Sequence, residues 1–114
     1  MVQTKRKAER YKVNLPIEME TNKGTELCRL VDISMSGCLL RSKQHLNPSA
    51  GVTLHFFSKN EEVGNYHPHS PVFAKCVYRT KIDTQGECKY GFEFISTINQ
   101  YSGIPQIIEN AVAH

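Results

Sequence analysis

The sequence has no tryptophan, only four cysteines in 114 residues, and no uninterrupted apolar run long enough to cross a bilayer. Its longest apolar stretches, Val52 to Phe57 and Ile104 to Ala113, are broken by polar residues. Both fall far short of the roughly 18 residues a membrane helix needs, so no membrane insertion is expected. The N-terminal MVQTKRKAER carries charge but no apolar stretch after it, the wrong order for a secretory signal, and the expected location is the cytoplasm. Cys28, Cys38, Cys76 and Cys88 form no C-x-x-C pair and stand singly in apolar runs, which reads as reduced, mostly buried thiols rather than a disulfide framework. Internal repeats and low-complexity segments are also missing. With 39% hydrophobic and 22% charged residues the chain is not disordered as a whole, and its length suits one domain. At this size folding buries roughly two-thirds of the unfolded surface, enough for one core without a staple.

The charge is unevenly placed. Residues 1–12 hold Lys5, Arg6, Lys7, Arg10 and Lys12 against Glu9, a net +4, whereas the other 102 residues sum to −1. The expected organisation is therefore a basic arm over 1–12 and a single domain over 13–114. Such an arm expects an anionic partner: nucleic acid, a phosphorylated small molecule or a membrane surface.

Beyond the arm, Val13, Leu15, Ile17 and Met19 alternate with polar residues, the period of a half-buried strand, and Pro16 suggests an edge or a bulge. Asn22-Lys23-Gly24 reads as a hairpin turn into a second strand, Thr25 to Ile33. Shorter strands follow at Cys38 to Arg41 and Val52 to Phe57. Ser58 to Pro71, polar and holding Gly64, Pro68 and Pro71, reads as a long surface loop. Val72 to Lys81 and Cys88 to Ile95 flank the turn Asp83-Thr84-Gln85-Gly86. Six antiparallel strands at this length argue for a small closed barrel or a sandwich, and the barrel removes the exposed edges more completely. From about residue 97 the period changes. Thr97-Ile98-Asn99-Gln100 resembles a capping box, Ile104, Ile107, Ile108, Ala111 and Val112 recur at helical spacing, and Gly103 and Pro105 suggest a restart there. The expected fold is all-β, a six-stranded antiparallel β-barrel with a C-terminal α-helix.

Two motifs carry chemistry: Arg6-Lys7-Ala8-Glu9-Arg10 in the arm, and Asp32-Ile33-Ser34-Met35-Ser36-Gly37 at the end of the second strand. Either alone reads as a solvated charge run or as turn chemistry. Together, about 20 residues apart across one strand, they resemble the RxxxR and (D/N)xSxxG motifs of the PilZ domain, a bacterial receptor module for cyclic diguanylate. Val31, Leu39-Leu40 and Tyr90-Gly91-Phe92-Glu93-Phe94-Ile95 extend the likeness over nearly the whole chain. The resemblance implies a barrel with a C-terminal helix and an arm that folds over the barrel to clamp the dinucleotide. Both motifs are complete here, which favours a binding-competent member.

The residue types suit those roles. A guanidinium pairs bidentately with a phosphate or with the guanine O6/N7 edge, so Arg6 and Arg10 fit either target. A carboxylate accepts from guanine N1–H and the exocyclic amine, making Asp32 the residue that selects the base. Strand alternation puts Asp32 and Ser34 on one face and Ile33 on the other, with Ser34 free to bond a second guanine or ribose edge. Gly37 allows φ > 0 and a close backbone approach. Lys5 and Lys7 add charge beside the arginines, and Tyr78 and Arg79 could stack on a guanine or pair with it. His67 and His69 are separated by Pro68 and lack a nearby third ligand, so no metal is expected. No nucleophile–base pairing or phosphate-cradling Gly-rich loop is visible, and neither an enzyme nor a resident cofactor is expected. The leading expectation is a non-catalytic receptor or adaptor for cyclic diguanylate that signals to an unidentified downstream protein by ordering its arm. The alternatives are a small barrel binding single-stranded nucleic acid, disfavoured by the −1 charge outside the arm, or an interaction module of the same fold that binds no nucleotide.

Overall fold

The computed structural model describes residues 9–43, 46, 50–60, 65–68, 70–96 and 102–113. These residues hold eight strands, β1 Tyr11–Thr21, β2 Gly24–Ile33, β3 Gly37–Ser42, β4 Gly51–His55, β5 Phe57–Asn60, β6 Asn65–Pro68, β7 Val72–Arg79 and β8 Cys88–Phe94, and one helix, α1, over Ile104–Ala113. Six strands close an antiparallel barrel in the order β1-β2-β3-β8-β7-β4, while β5 and β6 form a separate two-stranded ribbon. The barrel and helix agree with the sequence reading; the loop over Ser58–Pro71 does not, since most of it is the β5–β6 hairpin. This segment lacks the apolar alternation that marks a half-buried strand. Pro68 stands opposite Phe57 at the end of the ribbon, where a missing N–H is tolerated. The strand expected over Val52–Phe57 is interrupted at Phe56, whose fully buried side chain separates β4 from β5.

The core fills the barrel from the alternate positions of each strand. Ile17, Met19, Leu30, Leu40, Leu54, Ala74, Cys76 and Tyr90 have no exposed surface, and Ile104 of α1 joins them at one end. Tyr90 serves the core with its ring, and its hydroxyl accepts a hydrogen bond from Leu46 N at 3.1 Å. The helix begins where the sequence suggests a restart. Gly103 takes φ +88°, its carbonyl accepts from Ile107 N at 3.0 Å, and Pro105 sits in the first turn. The capping box read at Thr97–Gln100 lies outside the described residues.

Three bulges set which side chains leave the core. β1 and β2 slip between Lys12 and Leu15, so that Val13 and Asn14 oppose the single residue Val31; Pro16 follows directly and lies short of the β4-paired stretch Glu18–Glu20. This is the irregularity Pro16 suggests. Asn14 Oδ1 accepts from the Arg29 guanidinium across the bulge. β2 slips against β3 at Val31, and β7 slips against β8 at Val77. An extra residue turns every following side chain to the opposite face.

All four thiols are free and buried. Burial pushes Cys28 up to about 11 against a hydrogen bond from Ser42, and burial also raises Cys38 and Cys76. A thiol whose pKa is raised on folding contributes stability below its unfolded value, and that stability is lost as pH rises through the folded one. The chain is therefore expected to lose thermal stability between about pH 9 and 11. At pH 8 a thiol reagent should label the folded chain slowly, and all four sites should react at once in denaturant. Rapid labelling of the folded chain would contradict this packing.

Candidate functional site

β1 begins at Tyr11, inside the basic arm, with Tyr11 opposite Ile33 and Lys12 opposite Asp32. This pairing delivers Arg10 to the end of β2, where its Nη1 lies 3.9 Å from Asp32 Oδ2. The distance makes an ion pair without a tight hydrogen bond. Only 16% of the Asp32 side chain is exposed, and its Oδ1 is buried with no hydrogen-bond partner among the described residues. A buried carboxylate oxygen left without a donor is costly, so this atom marks a place where a ligand's N–H groups would be welcome.

Asp32 reaches the outer face because of the bulge. Cys28 and Leu30 point inward, and strict alternation would send residue 32 after them. The extra residue, Val31, turns Asp32 outward and Ile33 inward, where it is fully buried. The same device acts in β7: Ala74 and Cys76 are buried, Val77 is the extra residue, and Tyr78 emerges 41% exposed. Cross-strand register then aligns Asp32 with Leu39, Leu39 with Gly91, and Gly91 with Tyr78. The Tyr78 ring lies over Gly91 so closely that a Cβ there would overlap it. The result is a shelf of four strands with a carboxylate at one end and, roughly 10 Å away at ~4.8 Å per strand, an aromatic ring folded back over the third strand.

The turn from Asp32 to Gly37 is braced by Ser34. Ser34 N donates to Gly37 O at 2.9 Å, and Ser34 Oγ accepts from Ser36 N at 3.1 Å and Gly37 N at 3.2 Å. The same hydroxyl lies 3.3 Å from Gly37 O and 3.2 Å from Ser36 Oγ, with only 3% of the residue exposed. Ser34 sits past the end of β2, so strand alternation does not carry it outward beside Asp32. Its role in this conformation is to hold the turn, in the manner of an ST turn. Gly37 shows the close backbone approach expected of it but not the positive φ. Positive φ occurs at Gly24, Gly86 and Gly103 among the described residues but not at Gly37. What Gly37 provides is space: a Cβ there would collide with the carbonyl oxygen of Phe92 on β8. Met35, at the tip of the turn, is 45% exposed.

Arg79 parts from Tyr78. It pairs in register with Tyr90, whose side chain is inside the barrel, and its guanidinium hydrogen-bonds the Tyr90 hydroxyl. Tyr78 therefore shares the Asp32 face and Arg79 does not. Lys5, Arg6 and Lys7 lie outside the described residues, as does His69. Lys12, Leu39 and Gly91 belong to the shelf but escape sequence reasoning about binding. The signal for Gly91 was present in Tyr90-Gly91-Phe92, a glycine between two inward aromatics, but only the register shows which ring it accommodates. No cluster of three or more metal-ligating side chains occurs among the described residues, and none of the helices there is long and apolar enough to span a membrane.

Three solved structures share this fold. The inhibitor of motility MotI/DgrA of Bacillus subtilis matches with a TM-score of 0.74 and 11% identity over 97% of this chain and 53% of its own. The PilZ domain of YcgR from Escherichia coli, solved with c-di-GMP, matches at 0.68 and 15% identity over 96% of this chain and 93% of its own. The MrkH–c-di-GMP complex of K. pneumonia matches at 0.66 and 16% identity over 98% of this chain and 54% of its own. The chain thus spans little more than half of the Bacillus and MrkH chains. No curated protein matches it by sequence. The family model of the PilZ domain matches residues 4–110, nearly the whole length and both motifs, and the chain accordingly belongs to the PilZ domain family.

Proposed function

We propose that the chain is a non-catalytic receptor or adaptor for cyclic diguanylate, acting in the cytoplasm. The observation that carries this reading is the outward Asp32 carboxylate, with one oxygen beside Arg10 and the other buried without a hydrogen-bond partner among the described residues, on a shelf that ends in Tyr78. Guanine N1–H and its exocyclic amine are the donor pair that a carboxylate of this kind takes. Arg10, joined by Arg6 from the same motif, supplies guanidinium groups for the phosphodiesters, with Lys5 and Lys7 adding charge. Leu39 and the Tyr78 ring offer apolar surface for a base to lie on. The YcgR domain and MrkH, solved with c-di-GMP, support the choice of ligand. Ligand contacts would order the arm, whose residues before Tyr11 offer almost no apolar surface to offset an ordering entropy of ~1–2 kcal/mol per residue. The ordered arm then presents a surface for the downstream partner to read.

Calorimetric titration with cyclic diguanylate tests the reading. We expect binding at low micromolar affinity or tighter, with GTP, linear dinucleotides and a single-stranded oligonucleotide much weaker. Arg6→Ala and Arg10→Ala should each weaken it by about 1.5–3 kcal/mol. Amide exchange on the same samples should show ligand-dependent protection of residues 5–10, ahead of β1, while the core strands stay unchanged. Silence at ~100 μM ligand would sink the proposal and leave the nucleotide-free interaction module standing.

A further inference from the structure

The pairing that closes the barrel between β2 and β3 covers only part of β2. It runs from Arg29 opposite Arg41 to Ile33 opposite Cys38, while the β1–β2 ladder continues to Gly24. The reason lies in β3, which ends at Ser42. Leu46 is already buried, with its N–H on the Tyr90 hydroxyl at 3.1 Å, so the chain leaves the ladder to bring Leu46 to Tyr90. Gly24 to Cys28 consequently present one edge with no strand beside it among the described residues. A cleft of about 260 Å³ lies there, its lining including Glu26, Leu27, Cys28, Ser42 and Lys43.

Hydrogen-bond alternation decides what this edge offers. Thr21 and Gly24 flank a two-residue turn and bond to each other, so Gly24, Glu26 and Cys28 turn their backbone groups to β1. Thr25, Leu27 and Arg29 turn theirs the other way. Arg29 meets Arg41, whereas the N–H and C=O of Thr25 and Leu27 have no strand to meet among the described residues. The side chains alternate as well. Leu27 points outward and is 67% exposed, while Glu26 stands opposite the fully buried Met19 and points inward, where its Oε2 accepts from Ser42 Oγ at 3.1 Å. Glu26 Oε1 is buried with no hydrogen-bond partner among the described residues.

We infer that this open edge of β2 binds an extended segment of a partner protein by strand addition. A row of alternating backbone donors and acceptors is matched by another extended backbone. The residue opposite Leu27 exchanges both backbone bonds with it and lays its side chain beside Leu27 on the outer face, which suits a β-branched apolar residue. Its neighbours face inward, where a hydroxyl donates to Glu26 Oε1 as Ser42 does to Oε2. A neutral donor suits the site better than a cation, because Arg29, Arg41 and Lys43 line the same cleft. Arg29 already bonds Asn14, and Arg41 lies 3.7 Å from Glu87, so neither needs the newcomer. A second copy of Gly24–Cys28 meets these demands poorly: self-pairing about Leu27 sets Glu26 against a cysteine, and pairing about Glu26 sets it against another carboxylate. Strand addition here needs no nucleotide, since Gly24–Cys28 and Asp32 are at opposite ends of β2.

Amide exchange of the free chain reads the edge directly. Glu26 and Cys28 should be protected, and Thr25 and Leu27 should exchange at least about tenfold faster. Protection of all four in the dilute chain would overturn the open edge. The binding probe is a capped Ser-Thr-Val-Thr-Ser peptide, followed by amide chemical shifts of the full chain. Saturable shifts centred on Thr25 to Cys28 are expected at roughly millimolar affinity, with the Leu27 amide becoming protected. Methylating the valine nitrogen removes the donor to the Leu27 carbonyl and obstructs the ladder, and should weaken binding about tenfold or more. Ser-Ala-Val-Ala-Ser, without the hydroxyls, should bind roughly threefold more weakly or worse. Equal binding of the N-methyl peptide, or shifts that are scattered or absent at ~10 mM, would overturn strand addition. Equal binding of the alanine peptide would overturn the part given to Glu26. Protection of Leu27 that rises with protein concentration in the absence of peptide would make a second copy the occupant and overturn the partner segment.

Discussion

Asp32→Ala is expected to weaken cyclic diguanylate binding by about 3 kcal/mol or more, roughly 100-fold, because two hydrogen bonds to a charged acceptor disappear at ~1.5–3 kcal/mol each. The fold should not suffer in proportion. Asp32 has a buried oxygen with no partner among the described residues and an arginine at 3.9 Å, so the free chain gains little from this carboxylate. The melting temperature of Asp32→Ala should equal or exceed that of wild type. Asp32→Asn sharpens the test: it keeps the shape and one acceptor oxygen but sets an amide donor against the guanine donors, and so should bind as poorly as alanine. Titration and a thermal melt on the three proteins suffice. An asparagine variant that binds as wild type would show that Asp32 does not read the base.

The second large effect should come from a single methyl group at Gly37. A Cβ at this position would overlap the Phe92 carbonyl oxygen, a backbone atom that cannot swing aside. Gly37 also begins β3 opposite Glu93, next to the pair Cys38 and Phe92. To accommodate alanine, β3 must move away from β8, stretching the ladder and displacing the turn that Ser34 braces. Overpacking of this kind costs ~1–3 kcal/mol, and a fall in melting temperature of roughly 10 °C is expected for Gly37→Ala. Nucleotide binding should fall with it, since Asp32 is at the other end of the same turn. Gly51→Ala is the control. Its Cβ enters open space, and alanine restricts the unfolded chain more than glycine, so this variant should melt at or slightly above wild type. Identical melts for the two variants would mean that β3 has freedom to shift.

Much of this was legible in the sequence because it rests on apolar periodicity and on residues with narrow roles. Period two located β1, turn signals between apolar runs located β2, β3, β4, β7 and β8, the helical spacing of Ile104 and Ile107 located α1, and the paired motifs pointed to the end of β2. What escaped has physical causes. The hairpin of β5 and β6 is held by backbone pairing in a segment whose side chains show no alternation, so hydropathy gave no sign of it. Alternation correctly separated Asp32 from Ile33, but it could not show that Leu30 and Asp32, two apart, face opposite ways. It also grouped Ser34 with Asp32, although the strand ends at Ile33 and the hydroxyl is drawn into the turn. A close approach at Gly37 was readable from the sequence; that the approaching group is a carbonyl of β8, with no positive φ involved, requires knowing that β8 lies beside β3. Tyr78 and Arg79, adjacent in sequence, part company without any local signal: the ring lies over Gly91, while Arg79, still exposed, pairs in register with Tyr90.

Val31 and Val77 touch no proposed ligand, yet the slip at each decides whether a neighbour faces the solvent or the core. A β2 that paired straight through residue 31, with no slip against β3, would keep every letter of Asp32-Ile33-Ser34-Met35-Ser36-Gly37 while rotating its carboxylate into the barrel. Deafness to the nucleotide can therefore arise in this architecture from a change of pairing outside the motif, and spelling alone cannot distinguish a listening barrel from a silent one.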